Sequence, residues 1–261
     1  MLAPWTLTPH YSLIFSFLCG VVGFRIGWRF GNRVVLPLVQ SALGWAAFLL
    51  AWDVVGPAWA AASVGMWILG TTVASVYVFV SHPKETDERV VRAAPYRASM
   101  LAWLETGSGP EKRPAATAAS HFREVIWYTA AAIATANCAS LAMGVVLLNE
   151  MNAYVATLLR AATRTGTVLL LAWNVWSVVR VSAYVLIGAA AAAPVLRLSG
   201  WRVDSPTVRA MALAGAIGVV VDLVLKLALS RWCGRTLVAA IDLSAAKANR
   251  PSDDSLSLHL D

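Results

Sequence analysis

The chain has 261 residues, of which 59% are hydrophobic and only 13% charged, with a mean hydropathy of +0.65. A soluble domain carries about 25% charged residues, so this chain lacks the polar material to cover a soluble globule. Its net charge of +7 does not point to nucleic acid, because the basic residues fall between apolar stretches, where they fix membrane topology.

The N-terminus, Met-Leu-Ala-Pro-Trp, has no positively charged stretch, and no small-residue cleavage site follows the first apolar run, so the first span is expected to be retained. That span covers residues 11–30 and ends at Arg25, Arg29 and Arg33, which places the N-terminus outside. A second span covers 34–52, and residues 53–57 turn without a Lys or Arg, as an outside loop should. A third covers 58–80. Trp5, Trp28, Trp52 and Trp59 near these ends suit an aromatic belt.

Residues 81–123 read as a cytoplasmic loop of about forty residues, with a surface helix over 85–105 and a flexible Gly/Pro-rich linker over 107–114. A fourth span is expected over 125–148, turning at Asn149-Glu150-Met151-Asn152. Beyond it, either 153–173 and 181–196 form two spans, or 165–196 forms one long helix. The last span covers 207–230 and is followed by Arg231, Arg235, Lys247 and Arg250, with a polar tail over 251–261.

The sequence therefore predicts an all-α, polytopic transmembrane bundle of seven or six helices, with the N-terminus outside and the C-terminus inside. Residues 1–80 hold three spans, 81–123 the loop, 124–232 four or three spans, and 233–261 a cytoplasmic tail. Charge bias favours seven, because that count puts the basic tail on the side of the other basic loops. The expected location is a plasma membrane or a bacterial or organellar inner membrane.

Gly23, Gly27 and Gly31 recur every four residues and Gly20 lies near the same face, so one side of the first helix is nearly bare. Such seams let helix backbones approach in lipid, either within one chain or against a partner subunit or second copy. Asp222 and Lys226 stand four apart in the last span, share a face and can pair. A charge at that depth costs about 2.5–3.5 kcal/mol on insertion scales, so it normally faces a partner or a cavity. Arg160 and Arg164, with Arg180 further along, form a cationic set suited to an anion path or a lipid phosphate.

The five residues Asp222-Leu-Val-Leu-Lys226 resemble the last-helix motif of the microbial rhodopsins. That resemblance implies seven helices, retinal carried by Lys226 as a Schiff base, and Asp222 as counter-ion. The third span, with Trp67, Thr71 and Thr72, departs from the family's Trp-x-x-Thr-x-Pro arrangement, and Val185 follows Tyr184 where the family has Pro.

Cys19, Cys138 and Cys233 show no ligand spacing, and His10, His82, His121 and His259 fall outside the predicted spans, so neither a metal nor a haem is expected. His121, Arg123 and Glu124 read as a solvated helix entry. With no phosphate loop, nucleophile elbow or paired carboxylates, an enzyme is disfavoured. The leading expectation is a non-catalytic, multi-pass subunit packed against other membrane subunits, a second copy and lipid. The alternative is an ion or small-solute transporter or channel using Asp222, Lys226 and the arginines. A divergent retinal protein ranks third, and no other cofactor is expected.

Overall fold

The computed structural model describes residues 9–107 and 114–248, and these are helical without a single strand. In chain order the helices are α1 (Pro9–Arg29), α2 (Val35–Val54), α3 (Pro57–Ser81), α4 (Pro83–Arg89), α5 (Ala93–Thr106) and α6 (Pro114–Thr135). They continue with α7 (Cys138–Arg160), α8 (Thr165–Leu171), α9 (Val175–Leu198), α10 (Ser205–Val238) and α11 (Leu243–Ala248). Six stretches are long and apolar enough to cross a bilayer: α1, α2, α3, α7, the α8–α9 stretch Thr165–Leu198, and α10.

Their polarity is inverted relative to a soluble protein. On α1, Ile14, Leu18, Val22 and Ile26 are exposed, whereas Ser12, Ser16 and Gly20 are buried. On α10, Leu213, Ile217, Val220, Val224 and Leu227 are exposed, whereas Asp222 and Lys226 are 0% and 4% exposed. An outer surface of aliphatic side chains around a polar interior is stable only where the surrounding medium is hydrocarbon. The fold fits an integral membrane protein.

The first three helices pack through bare backbone. A Cβ on Gly20 of α1 would strike the carbonyl oxygen of Trp67 on α3, and one on Gly70 of α3 would strike that of Phe17 on α1. Gly23 and Gly27 face Leu43 and Leu36 of α2, so the seam is filled by the chain's own helices. Gly31 lies beyond the seam. At φ +64° it ends the first helix in a left-handed conformation that glycine adopts without penalty.

One end of the bundle collects the C-terminal ends of α1, α3, α7 and α10. Arg33 donates to the backbone carbonyls of Glu88 and Asp87 at 2.6 and 3.1 Å. Arg97 of α5, only 4% exposed, makes a two-pronged pair with Asp87 of α4 at 2.7 and 2.8 Å. Arg160 donates to the carbonyl of Phe79 at 2.7 Å. The 161–164 corner meets the 240–242 corner through Thr163 N–H to Ala240 O and Asp242 N–H to Ala161 O, and Lys247 of α11 pairs with Glu105 of α5. The opposite end holds the start of α1, where His10 meets Trp59, and the bond from Trp52 Nε1 to Arg202 O.

Several sequence expectations are corrected. The fourth span over 125–148 is broken: α6 stops at Thr135, and Ala136 and Asn137 take φ +47° and +74°. The chain reverses there, because Tyr128 on α6 lies against Gly144 on α7, a contact that a continuous helix would forbid. Asparagine tolerates the left-handed region, and the corner leaves few backbone groups orphaned. Asn137 Oδ1 accepts from Ser140 Oγ, Thr135 Oγ1 accepts from Ala139 N–H, and Ala136 O accepts from Trp45 Nε1.

The expected turn at residues 149–152 lies instead in the buried middle of α7. Its polar side chains resemble a loop in sequence, but Asn149, Glu150 and Asn152 are all buried inside the bundle. Over 153–196 the two-span alternative is replaced, because α7 runs to Arg160, whereas the single-stretch alternative matches the candidate span Thr165–Leu198, interrupted at Asn174, φ +47°, between α8 and α9. The tail expected from 233 starts later, since α10 continues to Val238. The segment 81–123 contains α4, α5 and the start of α6. Trp5, residues 108–113 of the predicted linker, His259 and the 251–261 tail, with Arg250 just before it, lie outside the described residues.

Candidate functional site

α7 carries a run of polar residues pointing in three directions. Asn149 Nδ2 donates to Gln40 Oε1 on α2 at 2.8 Å. Asn152 Nδ2 donates to Ser75 Oγ on α3 at 2.8 Å, and its Oδ1 accepts from Trp173 Nε1, just beyond α8, at 3.0 Å. These bonds tie α2, α3 and the α8–α9 break to one helix, each polar atom finding inside the bundle the partner that lipid cannot supply. Between them, Glu150 faces elsewhere.

Glu150 lines a chamber of about 250 Å3 between α3, α6, α7 and α9, bounded at one end by Arg92 and Tyr96 from the α4–α5 side. Trp67, Glu124, Tyr128, Arg180 and Tyr184 also line it. Glu150 is 1% exposed, and neither carboxylate oxygen has a hydrogen-bond partner among the described residues. Its nearest cation is Arg92, whose Nε stands 3.7 Å from Oε1, too far for a hydrogen bond. Arg92 occupies a left-handed position, φ 56°, and its side chain is largely exposed, so it stands at the mouth.

Arg180 connects the chamber to α10. It donates to both oxygens of Asp222, at 3.0 and 3.2 Å, and His121 Nδ1 of α6 lies 3.3 Å from the same carboxylate. Three helices therefore share one fully buried anion, which answers the desolvation of Asp222 with hydrogen-bonded cationic or polar partners. Lys226, one turn along α10, is buried on the same side.

The sequence-predicted residues are thus distributed unequally. Asp222 and Arg180 come together. Arg160 holds the end of α3, and Arg164 does not share its face, because α7 ends at Arg160 and the side chain of Arg164 is exposed. Lys226 lines neither the chamber nor the apolar groove beside it, so neither cavity offers a retinal slot at its amine.

Sequence reasoning missed Glu150, which it placed in a turn, and His121, which it placed in solvent. His121 is buried, whereas Phe122, Ile126 and Trp127 around it are exposed. That pattern, apolar outside and polar inside on one helix, was the available signal. Among the described residues no three His, Cys, Asp or Glu side chains gather as metal ligands.

The site belongs to an integral membrane protein with a charged interior. Comparison with protein-family models, with curated proteins and with solved structures found no match.

Proposed function

We propose that the protein is a membrane transporter that binds and passes a small solute through the chamber between α3, α6, α7 and α9. The observation that carries this reading is the gathering of Arg92, Glu124, Glu150 and Arg180, from four separate elements, around one cavity inside an apolar bundle. Intramembrane ionisable residues facing a cavity are the usual mark of a solute or ion path. A helix break lies close by, at Asn174 within the Thr165–Leu198 stretch, and interrupted helices are typical of binding sites in secondary transporters. The subunit reading drew on the glycine seam as a docking face together with the Ala-rich helices and the missing catalytic motif, and of these the seam packs against the chain's own α2 and α3.

In this reading α6 is a seventh crossing. Its exposed Phe122, Ile126, Trp127 and Ile133 suit lipid contact, and its buried Tyr128 and His121 suit the interior. Seven crossings agree with α1 starting and α10 finishing at opposite ends of the bundle. The basic α4–α5 end is then cytoplasmic, with the N-terminus outside.

The test uses Ser177, which lines the chamber. In a chain whose three cysteines are replaced, Ser177→Cys in sealed vesicles should react with a membrane-impermeant thiol reagent from both sides, faster from the α5 side. Labelling from one side alone would reduce the chamber to a binding pocket, and no labelling at all would remove the transport reading.

A further inference from the structure

Next to the chamber runs an apolar groove of about 890 Å3 between α3 and α7–α9. Its outer margin includes Leu69, Val73, Tyr77 and Val178, all exposed, so it opens sideways toward the surrounding hydrocarbon. Ile68, Leu148, Met151, Val181 and Val185 line both cavities. A single layer of flexible and aliphatic side chains therefore separates an apolar trough from a charged chamber, and Met151 in that layer is the immediate neighbour of Glu150. On α3, Gly65 leaves the trough wall bare, with no atom within 4 Å of where a Cβ would stand.

We infer that groove and chamber together form one site for a lipid amphiphile with a phosphate and a primary ammonium in its headgroup. The inference rests on the transport reading and names its substrate class. The acyl chains would lie along the Ala- and Gly-rich face of α3, where a narrow trough rewards long, thin apolar groups. The headgroup would enter the chamber. Its ammonium carries three N–H donors, and Glu150 presents two buried acceptor oxygens without donors, an arrangement costly to leave unmade. Its phosphate would meet the guanidinium of Arg92, which no hydrogen bond holds to Glu150 and whose planar fork suits phosphate oxygens. The neighbouring opposite charges of Arg92 and Glu150 thus complement the neighbouring opposite charges of the headgroup.

Three lipids with the same tails separate the possibilities. Phosphatidylethanolamine has phosphate and N–H donors, phosphatidylcholine has phosphate and a cation without N–H, and phosphatidylglycerol has phosphate alone. In native mass spectra of the full chain in mild detergent, phosphatidylethanolamine should be retained about tenfold over the other two, the worth of a hydrogen bond to a charged group. Glu150→Gln should abolish the preference, and Gly65→Leu, which fills the trough without a clash, should lower retention of all three. Equal retention of the three lipids by the unaltered chain overturns the inference, as does a preference that survives Glu150→Gln or a retention of all three that Gly65→Leu leaves undiminished. If Glu150→Gln does not fold, Gly65→Leu still decides. Labelled Ser177→Cys with no lipid preference overturns the amphiphile and leaves the transport reading standing, whereas absent labelling overturns both.

Discussion

Arg180 on α9 donates through Nε and Nη2 to both carboxylate oxygens of Asp222 on α10, with Asp222 fully buried and the arginine side chain 24% exposed. The pair sits midway along the longest helix and is the strongest polar link between the last two long helices. Removing one member of a buried pair costs about 3–5 kcal/mol, here softened by His121, which also meets Asp222, whereas removing both leaves no such mismatch. Asp222→Asn and Arg180→Met should therefore each lower the melting temperature sharply, and the double variant should recover most of the loss. Additive losses in the thermal melts would mean that the two side chains are not coupled.

The crossing of α1 and α3 at Gly20 and Gly70 supplies a second expectation. Gly70→Ala puts a methyl group against the carbonyl of Phe17 and must push the two backbones apart, at a cost of about 1–3 kcal/mol. Gly65→Ala, on the same helix with open space around it, should leave the melt unchanged. Equal melts for the two variants would contradict the close approach.

Asn152 bonds to Ser75 and Trp173 at once, which joins α3 and the α8–α9 break through α7. Asn152→Leu should destabilise by about 0.6–1.7 kcal/mol, the range measured for interhelical hydrogen bonds in a membrane protein. The loss should be local as well. Protease cleavage near Asn174 should speed up before the rest of the chain responds, and uniform resistance would argue against a hinge there.

Topology can be read with reporters fused after Gly107 and after Ala248. Both should face the same compartment, with a tag on the N-terminus in the other. Reporters in opposite compartments would exclude α6 as a crossing and return the count to six.

Much of the fold was legible because lipid imposes simple rules. Runs of apolar residues matched α1, α2 and α3 within two positions at each end, and the start of α10 likewise, since a helix that must satisfy its own backbone needs a minimum length, though α10 runs eight residues past its predicted end. The middle of the chain was less legible because α6 and α7 are polar on their inner faces. Asn149, Glu150 and Asn152 lower the local hydropathy as a loop would, and only the partners Gln40, Ser75 and Trp173, distant in sequence, reveal a buried helix. The same holds at the site. Asp222 stood out as a charge in an apolar run, but its partner looked like Lys226 on the same helix, because spacing reveals neighbours along one helix and says nothing about Arg180 and His121 on others.

α10 has a mechanical consequence. Its 34 residues extend about 51 Å, well beyond the ~30 Å of a hydrocarbon core, with no proline past its first turn and no break. It therefore acts as a stiff rod gripped at three points: beside α9 at Gly215 and Gly218, at Asp222, and at the far corner where Ala240 meets Thr163 and Arg164. Held at these points along its length, the rod fixes the spacing between its α9 contacts and its far tip. That tip carries the corner leading to α11, whose Lys247 holds Glu105 of α5, and α5 lines one end of the chamber with Tyr96. One unbroken helix thereby joins the α9 contact to the elements that line the α4–α5 end of the chamber.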